Sequence, residues 1–400
     1  MSKKSTVFVL ILLFLTVAAT LIYAFAPRGE KLSLRTKDES NLEKIIKDRE
    51  EDPDLSATIV FNGERLSFDA VNSVYYYSLN DGDKNAFNPR TKVLEEGIRF
   101  LIAGDIKEDM IAKAETLPMI IYSDFSYRRA ELALTTLPLI NITYDGDLDG
   151  DGADMHLYLY DNRKGVENRI TESDGTIRYR GASTLFYPKK SLKINLLDRS
   201  GNKNHTSLLG MRVDEDWILY ALYNDQDKVR DVFSQKLWYE GCAKDNSWGV
   251  TAGMEYKYTE VLLNGEYMGM YALGYPIDEK QLSLSGDYRK EALYKKQGWD
   301  SEEQLGMNVW GGFPGYECKT DNRLVSQGYT GEFGEWKNDK GDTKTDMSEW
   351  QLLFKYYYYL ANNAHDSDKM LDLIDVNNAI DIYIFYNIIQ GYDSVRDDLL

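Results

Sequence analysis

The sequence predicts an α+β protein, in which a two-lobed domain follows a small β-sandwich-like module and an N-terminal apolar helix. Short segments rich in apolar and β-branched residues, separated by turn pairs, fill residues 56–134 and are typical of strands. Further strand-like segments begin at residue 135, and apolar segments of helical length lie near the end of the chain. A strand-rich half followed by a helical half predicts the α+β class.

Composition limits the functions that remain open. The chain has 400 residues, enough for two or three domains, and 43% of them are hydrophobic, which is ample for stable cores. Its formal net charge of −18 argues against nucleic-acid binding and favours protein partners that carry basic stretches. With three histidines and two cysteines, the chain does not predict a zinc site; Cys242 and Cys318 could pair in an oxidising compartment, which the sequence leaves open.

The first 27 residues predict a signal peptide or a membrane anchor. Lys3 and Lys4 precede an apolar run over residues 7–26, about the length of a membrane-spanning helix. Ala24-Phe25-Ala26 resembles a signal-peptidase site, but Pro27 disfavours cleavage and favours an anchor. Either outcome predicts that the rest of the chain is extracytoplasmic, as a membrane-anchored or secreted protein.

Three segments follow the apolar run. Residues 28–55 are rich in charge and predict a stalk, with a short helix at best before Pro53. Residues 56–134 predict the small β-rich module, with turns at pairs such as Asn62-Gly63. The tyrosines at 75–77 are interpreted as packing residues rather than as a carbohydrate platform. Residues 135–400 form the larger domain, which we expect to be incomplete at its C-terminus because Leu399-Leu400 resembles the start of a strand.

Within the larger domain, strands are predicted first and helices later. A helix is predicted over residues 225–239, with Asp225 as its cap, and a hairpin turn at Asn264-Gly265. The segments MSEWQLLFKYYYYLANNA and AIDIYIFYNIIQGY predict helices that are buried on one face or more.

A basic segment of this acidic chain predicts a binding site for an anion. Arg180 precedes Gly181, which permits close approach of a ligand to the backbone, and Arg offers forked donors suited to phosphate. Lys189 and Lys190 enter a strand in which Leu192, Ile194 and Leu196 alternate with polar residues. The alternative is a solvated strand edge whose charges prevent aggregation.

The acidic segment DGDLDGDGAD predicts a possible calcium loop. Its oxygen ligands would be Asp145, Asp147, Asp149 and Asp151, and its glycines permit a tight turn. The twelve-residue calcium pattern is not completed, because Tyr158 stands where a bidentate Glu belongs. A solvated acidic hairpin is the alternative.

The order of several motifs resembles that of a known family. Between roughly residue 135 and residue 400 the chain contains RGASTLFYPKKSLKINL, LLGM, DEDWILYALYNDQDKVRDVF, VLLNGEYMGMY, ALYKK and GYECK. This series resembles the spore-coat protein H (CotH) kinase family of bacteria. The resemblance implies an atypical protein-kinase-like, two-lobed fold that uses ATP and Mg²⁺ or Mn²⁺ to phosphorylate protein hydroxyls.

The resemblance also implies roles for individual residues. Asp393 falls on the catalytic Asp of the family, and Asp398 falls on a magnesium ligand that is usually Asn. Arg180 and Lys190 fall on phosphate-facing positions, and Tyr294 falls where an aromatic ring stacks on adenine.

Two departures from the family pattern bear on activity. Tyr275 stands where the family usually has an acidic residue, and a tryptophan-and-double-aspartate segment is expected only beyond Leu400. The sequence therefore predicts an exported CotH-like kinase that phosphorylates Ser or Thr of a surface or coat protein. The alternative is a catalytically inactive CotH-like protein that binds or adheres at the surface.

Overall fold

The computed structural model describes residues 35–36, 38–80, 89–104, 109–181, 183–284, 290–296, 316–318, 336–337, 343–344 and 351–391. The chain forms two compact units, one of Met1–Thr136 with Asn162–Lys164, the other of Leu137–Asp161 with Gly165–Leu400. The sequence placed the corresponding boundary after residue 134. The predicted N-terminal apolar helix lies outside the described residues, and among those described no helix is both long and apolar enough to cross a bilayer.

The described residues of the first unit form ten strands in two sheets. They are β1 (Arg35–Thr36), β2 (Glu50–Glu51), β3 (Ile59–Phe61), β4 (Glu64–Arg65), β5 (Ser67–Asp69), β6 (Val74–Ser78), β7 (Thr91–Val93), β8 (Arg99–Ala103), β9 (Thr116–Tyr122) and β10 (Ser126–Thr135). Seven form a sheet in the order β1-β8-β9-β10-β6-β5, with β2 also paired to β10. The other three form a sheet in the order β4-β3-β7.

Aromatic side chains join the two sheets of the first unit. Along β6, Tyr75 and Tyr77 are fully buried, because alternate side chains of a strand point to the same face. Phe61 of the smaller sheet packs against Tyr77 and Phe100 of the larger one, with ring centroids 5.3 and 5.8 Å apart. The predicted packing role of these tyrosines is confirmed for Tyr75 and Tyr77.

The predicted charged stalk is wrong for the described residues of the segment 28–55. Residues Ser40–Ile46 form a helix, α1, that buries Leu42 and Ile46 against Leu101 and Ile120 of the larger sheet. The strands β1 and β2 on either side of α1 pair in parallel with β8 and β10. Two apolar residues four apart dock α1 on the sheet, although charged residues dominate the composition of the segment.

The second unit is built around a closed barrel. Its strands are β11 (Leu139–Asp145), β12 (Ala153–Tyr160), β13 (Ile170–Arg180), β14 (Ser191–Leu197), β17 (Asp216–Tyr220), β18 (Tyr256–Leu263) and β19 (Glu266–Gly274), and a short pair, β15 (Thr206–Ser207) and β16 (Val213–Asp214), precedes β17. The barrel order is β11-β12-β13-β14-β17-β19-β18. Parallel pairing of β11 with β18 closes it.

The barrel interior follows the alternation that the sequence predicts. Leu192, Ile194 and Leu196 of β14 are buried in the core, and they surround the fully buried Trp217 together with apolar residues of the other strands. Lys193 and Asn195 lie on the opposite face of β14 and are partly exposed. The predicted hairpin at Asn264-Gly265 joins β18 to β19, with φ of 47° and 75° at the two turn residues.

The remaining elements among the described residues are four helices, a 3₁₀ turn and two small two-stranded sheets. The helices are α2 (Arg230–Gly241), α3 (Gln351–Asn363), α4 (Ser367–Leu371) and α5 (Val376–Ile389). The 3₁₀ turn is Ser183–Phe186, and the small sheets pair β20 (Tyr294–Lys296) with β21 (Tyr316–Cys318) and β22 (Trp336–Lys337) with β23 (Thr343–Lys344). The mixture of helices and strands agrees with the predicted α+β class.

Two helices differ from their predictions. The helix expected from residue 225 begins at Arg230, because the Asp225 carboxylate accepts hydrogen bonds from the amides of Asp227 and Arg230 and so holds a turn before the helix. In α5 no described residue is fully buried: Phe385 packs against Trp238 with ring centroids 5.2 Å apart, whereas Tyr383 and Ile388 are 67% and 65% exposed. Apolar composition identified α5 as a helix but not the extent of its burial.

Charged side chains surround the start of β17. Asp214 is fully buried, and its carboxylate accepts hydrogen bonds from Arg212 at 2.7 Å and from Lys280 at 2.5 Å. The indole nitrogen of Trp217 donates to the carbonyl oxygen of Asp214 at 3.2 Å. Since an uncompensated buried charge is costly, these partners stabilise the fold. The cluster ties the start of β17 to the segment that follows β19.

Glu215 belongs to the same charged cluster. Its side chain is largely buried, accepts a hydrogen bond from Lys203 at 2.6 Å and lies 3.3 Å from the Lys280 ammonium and 2.9 Å from the His205 ring. Burial raises the pKa of Glu215, but the hydrogen bond from Lys203, a backbone hydrogen bond and the charges of Lys280 and Lys203 outweigh this and lower the pKa to about 2.

We expect Glu215→Gln to reduce the acid sensitivity of the barrel. Because the folded pKa of Glu215 lies below its unfolded value, its carboxylate stabilises the fold above the unfolded pKa, and this contribution is lost as pH falls from about 5 to about 2. The contribution at pH 7 should be roughly 1–2 kcal/mol, reduced by solvent screening of Lys203. The measurement is urea unfolding at several pH values, followed by tryptophan fluorescence.

Tryptophan fluorescence isolates the second unit, because all seven tryptophans lie between Trp217 and Trp350. The matched control is Glu240→Gln, which removes an exposed carboxylate paired with Lys236 on α2. The control should keep the pH dependence of the parent. If Glu215→Gln also keeps it, the assignment of the low pKa is wrong.

Candidate functional site

The predicted phosphate-binding residues lie at one end of the barrel. β13 ends at Arg180, which pairs with Ser191, so Lys190 directly precedes the strand beside it. The link between the two strands passes through Gly181, whose φ is 135°, and then through the 3₁₀ turn. A Cβ at Gly181 would lie 2.0 Å from the Thr184 hydroxyl oxygen. The glycine is therefore required by the backbone and by Thr184.

The two adjacent lysines have different surroundings. The Lys190 ammonium lies 4.4 Å from the centroid of the Tyr179 ring, a cation–π contact at the barrel end. The Lys189 ammonium donates to the carbonyl oxygen of Met270 at 2.6 Å and lies 4.0 Å from the Tyr271 ring. The Tyr271 hydroxyl in turn donates to the carbonyl oxygen of Lys190 at 3.3 Å. These contacts with β19 fix the backbone on which Lys190 is mounted.

Lys189 was not assigned a role from the sequence. Burial lowers its pKa to about 8, with a further lowering by the charge of Lys228, while Glu260 acts in the opposite direction. The sequence feature that pointed to this position is the pair of lysines after Pro188. The sequence alone does not show which lysine packs against β19 and which lies at the barrel end. The structure distinguishes them through the contacts with Met270.

Arg180 faces a different set of side chains from Lys190. Tyr220 and Tyr256 stack on the outer face of the barrel, with ring centroids 5.9 Å apart. Burial raises the pKa of Tyr256 to about 12, and the positive charge of Arg180 opposes that rise. Burial and the Asp231 carboxylate raise the pKa of Tyr220, which Arg180 again opposes. Arg180 and Lys190 thus share one end of the barrel but are held beside separate aromatic groups.

The acidic loop reaches the same end of the barrel. Leu148, at its centre, is buried in the barrel core, and its carbonyl oxygen accepts a hydrogen bond from the amide of Tyr179 at 2.8 Å. Gly152 passes so close to β13 that a Cβ would lie 2.4 Å from the Ile177 oxygen. In the sequence the acidic loop and the basic strand are separate features, and only the fold brings them to the same end of the barrel.

The calcium expectation is not supported by this geometry. Each aspartate of the loop is exposed; they are Asp145, Asp147, Asp149 and Asp151. The carboxylate of Asp147 accepts a hydrogen bond from the amide of Asp149 at 3.0 Å, which stabilises the turn itself. Within the described ranges, no three His, Cys, Asp or Glu side chains converge as a metal site would require. The calcium loop and its alternative, the solvated acidic hairpin, both stay predictions.

The other predicted site residues lie in the C-terminal part of the chain. Tyr294 lies in β20, where it pairs with Cys318 of β21. Asp393 and Asp398 lie outside the described residues. Cys242 is a free thiol, so the disulfide that the sequence left open is not formed.

Tyr275, the residue that departs from the expected acidic one, has a packing role. Its ring lies 4.1 Å from the Arg212 guanidinium and makes an edge contact with Trp217, with centroids 6.3 Å apart. Tyr275 therefore joins the charged cluster before β17 to the barrel core.

A family model described as CotH kinase protein matches residues 177–400. The chain belongs to the CotH kinase family. The match begins on β13 and includes Arg180, Lys190 and Tyr294, together with Asp393 and Asp398. The matched range is shorter than the range of the motif resemblance, which begins near residue 135. Strands β11 and β12, which complete the barrel, precede the matched range. No curated protein matches the chain.

We expect Gly181→Ala to destabilise the second unit by roughly 1–3 kcal/mol, because alanine disfavours the positive φ and its Cβ meets Thr184. Chemical unfolding followed by tryptophan fluorescence measures the loss. Gly201→Ala is the matched control, since Gly201 also has a positive φ but open space around a Cβ, and should cost about 1 kcal/mol.

Adding Thr184→Ala to Gly181→Ala should restore part of the lost stability, because the closest contact of the new Cβ is the Thr184 oxygen. Equal losses in the Gly181 and Gly201 variants would show that Thr184 imposes no constraint.

Proposed function

We propose that this protein is an exported CotH-like kinase that transfers the γ-phosphoryl group of ATP to Ser or Thr of a surface or coat protein. The observation that carries the proposal is the placement of Arg180 and Lys190 at one end of the barrel, within the residues that the family model matches. Two cations there would offset the negative charge of a nucleotide in a chain whose net charge is −18.

The described residues fit the phosphates of a nucleotide. Lys190 presents a point charge at the barrel end, while Lys189 and Tyr271 hold its backbone against β19. Arg180 offers planar, forked donors that match phosphate oxygens. Tyr294 would stack on the adenine, which requires the small sheet of β20 and β21 to lie beside the nucleotide.

The transfer itself is assigned to the end of the chain. The acceptor hydroxyl oxygen would attack the γ-phosphorus, the bond to the bridging oxygen would break, and ADP would leave. Asp393 would orient the hydroxyl and accept its proton. Asp398 would hold Mg²⁺ or Mn²⁺, which neutralises developing charge on the phosphates.

Export is proposed from the apolar segment over residues 7–26, as a membrane anchor or a cleaved signal. The acceptor would then be reached outside the cytoplasmic membrane. The acidic net charge favours an acceptor with basic stretches.

A second candidate is a catalytically inactive CotH-like protein that binds other molecules at the surface. It is favoured by Tyr275, which stands where the family usually has an acidic residue and packs between Arg212 and Trp217. It is also favoured by Asp398, which stands where the family usually has Asn.

We expect Lys190→Ala to weaken binding of ATP with Mg²⁺ by a factor of roughly 5 to 150, the range for loss of a charged hydrogen bond of about 1–3 kcal/mol. Isothermal titration calorimetry measures it. Lys193→Ala is the matched control, because it removes the same charge from β14, three residues further along the chain, where the ammonium lies 3.5 Å from Asp216. An equal loss of ATP affinity in both variants would show that the effect comes from net charge. No loss of affinity in Lys190→Ala would refute the phosphate contact.

We expect Asp393→Asn to lower phosphoryl transfer by about 10²-fold or more while nucleotide affinity stays nearly constant, because general-base positioning acts on the chemical step. A radiolabel assay with casein-like and basic Ser-rich acceptors measures transfer. Asp397→Asn, the same chemical change away from the family's motif positions, should retain most of the activity. If the parent transfers phosphate neither to itself nor to these acceptors, the inactive binding protein replaces the kinase.

A further inference from the structure

A groove of about 600 Å³ crosses the outer face of four barrel strands. Its central row runs through residues in register: Thr143 of β11 pairs with His156 of β12, His156 pairs with Asp174 of β13, and Asp174 pairs with Leu197 of β14. The volume lies within the range of ligand-binding clefts. Its shape is that of a channel across the strands rather than a closed pocket.

The groove contains a juxtaposition that fold stability does not explain. Asp145 and Asp154 lie directly opposite each other in the β11–β12 pair, and both are exposed. Like charges at opposed positions destabilise a strand pair. Neither carboxylate forms an ion pair with a described residue, whereas Asp174 lies 2.8 Å from the His156 ring. A cation between Asp145 and Asp154 would remove their repulsion.

Other carboxylates of the groove are used by the fold. Asp198, at its rim, accepts hydrogen bonds from the amides of Ser200 and Asn202, which lower its pKa and hold its own turn. The half-buried Leu197 provides an apolar surface for the carbon chain of a lysine or arginine. The unpaired carboxylates thus lie on β11 and β12, whereas the apolar surface lies on β14, near Arg199 of the groove lining.

The shape and the ligand set favour a polypeptide over a metal ion. In the parts of the chain that the structure describes, no three potential metal ligands converge, in this groove or elsewhere. A channel across four strands suits an extended segment, whose charged side chains can reach the carboxylates at one end.

We propose that this groove binds an extended, lysine- or arginine-containing segment of a partner protein, with a cationic side chain placed between Asp145 and Asp154. Asp145 and Asp154 precede residue 177, where the family match begins, whereas Leu197 and Asp198 lie within the matched region. The proposed site does not rest on the proposed kinase activity, because an inactive surface-binding protein would use the same contact.

The test is fluorescence anisotropy of a labelled peptide of alternating lysine and serine, titrated with the full chain at low salt. The double variant Asp145→Asn with Asp154→Asn should weaken binding roughly tenfold, since two charge pairs with the ligand are lost. The matched control is Asp149→Asn with Asp151→Asn, which changes net charge equally in the same exposed loop but does not line the groove. The control should change affinity by less than about twofold.

Thr143→Trp provides a second variant, because it obstructs the groove without changing charge. It should weaken peptide binding while the unfolding midpoint, followed by tryptophan fluorescence, stays that of a folded barrel. A peptide of alternating glutamate and serine should not bind.

Three results would overturn the proposal. One is an equal loss of peptide affinity in the double variant at Asp145 and Asp154 and in the control double variant, which would show that binding is nonspecific electrostatic attraction. Another is the absence of peptide binding to the parent at low salt. The last is displacement of the peptide by Ca²⁺ or Mg²⁺ with an affinity that depends on Asp145 and Asp154, which would make the groove a metal site.

Discussion

The second unit depends on the closure of its barrel by parallel pairing of β11 with β18. Ile142 of β11 pairs with Leu263 of β18. These two strands are the two ends of the strand order, with the other five barrel strands between them. At the end of this seam the side chain of Asn264 accepts a hydrogen bond from the amide of Tyr144 at 2.8 Å and donates to the Tyr144 oxygen at 3.1 Å. Closure leaves no free sheet edge and encloses the core around Trp217.

Closure also determines which chemical groups meet at the barrel end. The acidic loop joins β11 to β12, and its Leu148 oxygen binds the backbone of β13 next to Arg180. The hairpin of β18 and β19 supplies Met270 and Tyr271, which fix Lys189 and the backbone of Lys190. A strongly acidic chain thus concentrates cations at one end while keeping acidic side chains within the same region. Under the proposed function, such an arrangement would orient an anionic ligand rather than attract anions over the whole surface.

Local patterns predicted much of this fold and part of the site. Alternation identified β14 and its buried face, because one face of a barrel strand must be apolar. The Asn264-Gly265 pair identified its hairpin, because both residues adopt positive φ readily. The stalk was wrong because composition over 28 residues conceals the two apolar side chains, Leu42 and Ile46, that dock α1. Helix α2 begins at Arg230 and not at the predicted residue 225, because the Asp225 carboxylate accepts hydrogen bonds from amides ahead of the helix.

By itself, the sequence determined the family, the strand positions and the basic segment with Arg180 and Lys190, because these depend on residue order and local periodicity. Only the tertiary structure decided that Lys189 packs on β19 and that Asp145 opposes Asp154. It also showed that Tyr275 lies under Arg212. Each of these is set by the register and closure of strands distant in sequence. Long-range pairing is selected by the total burial of the barrel core, which no local segment encodes.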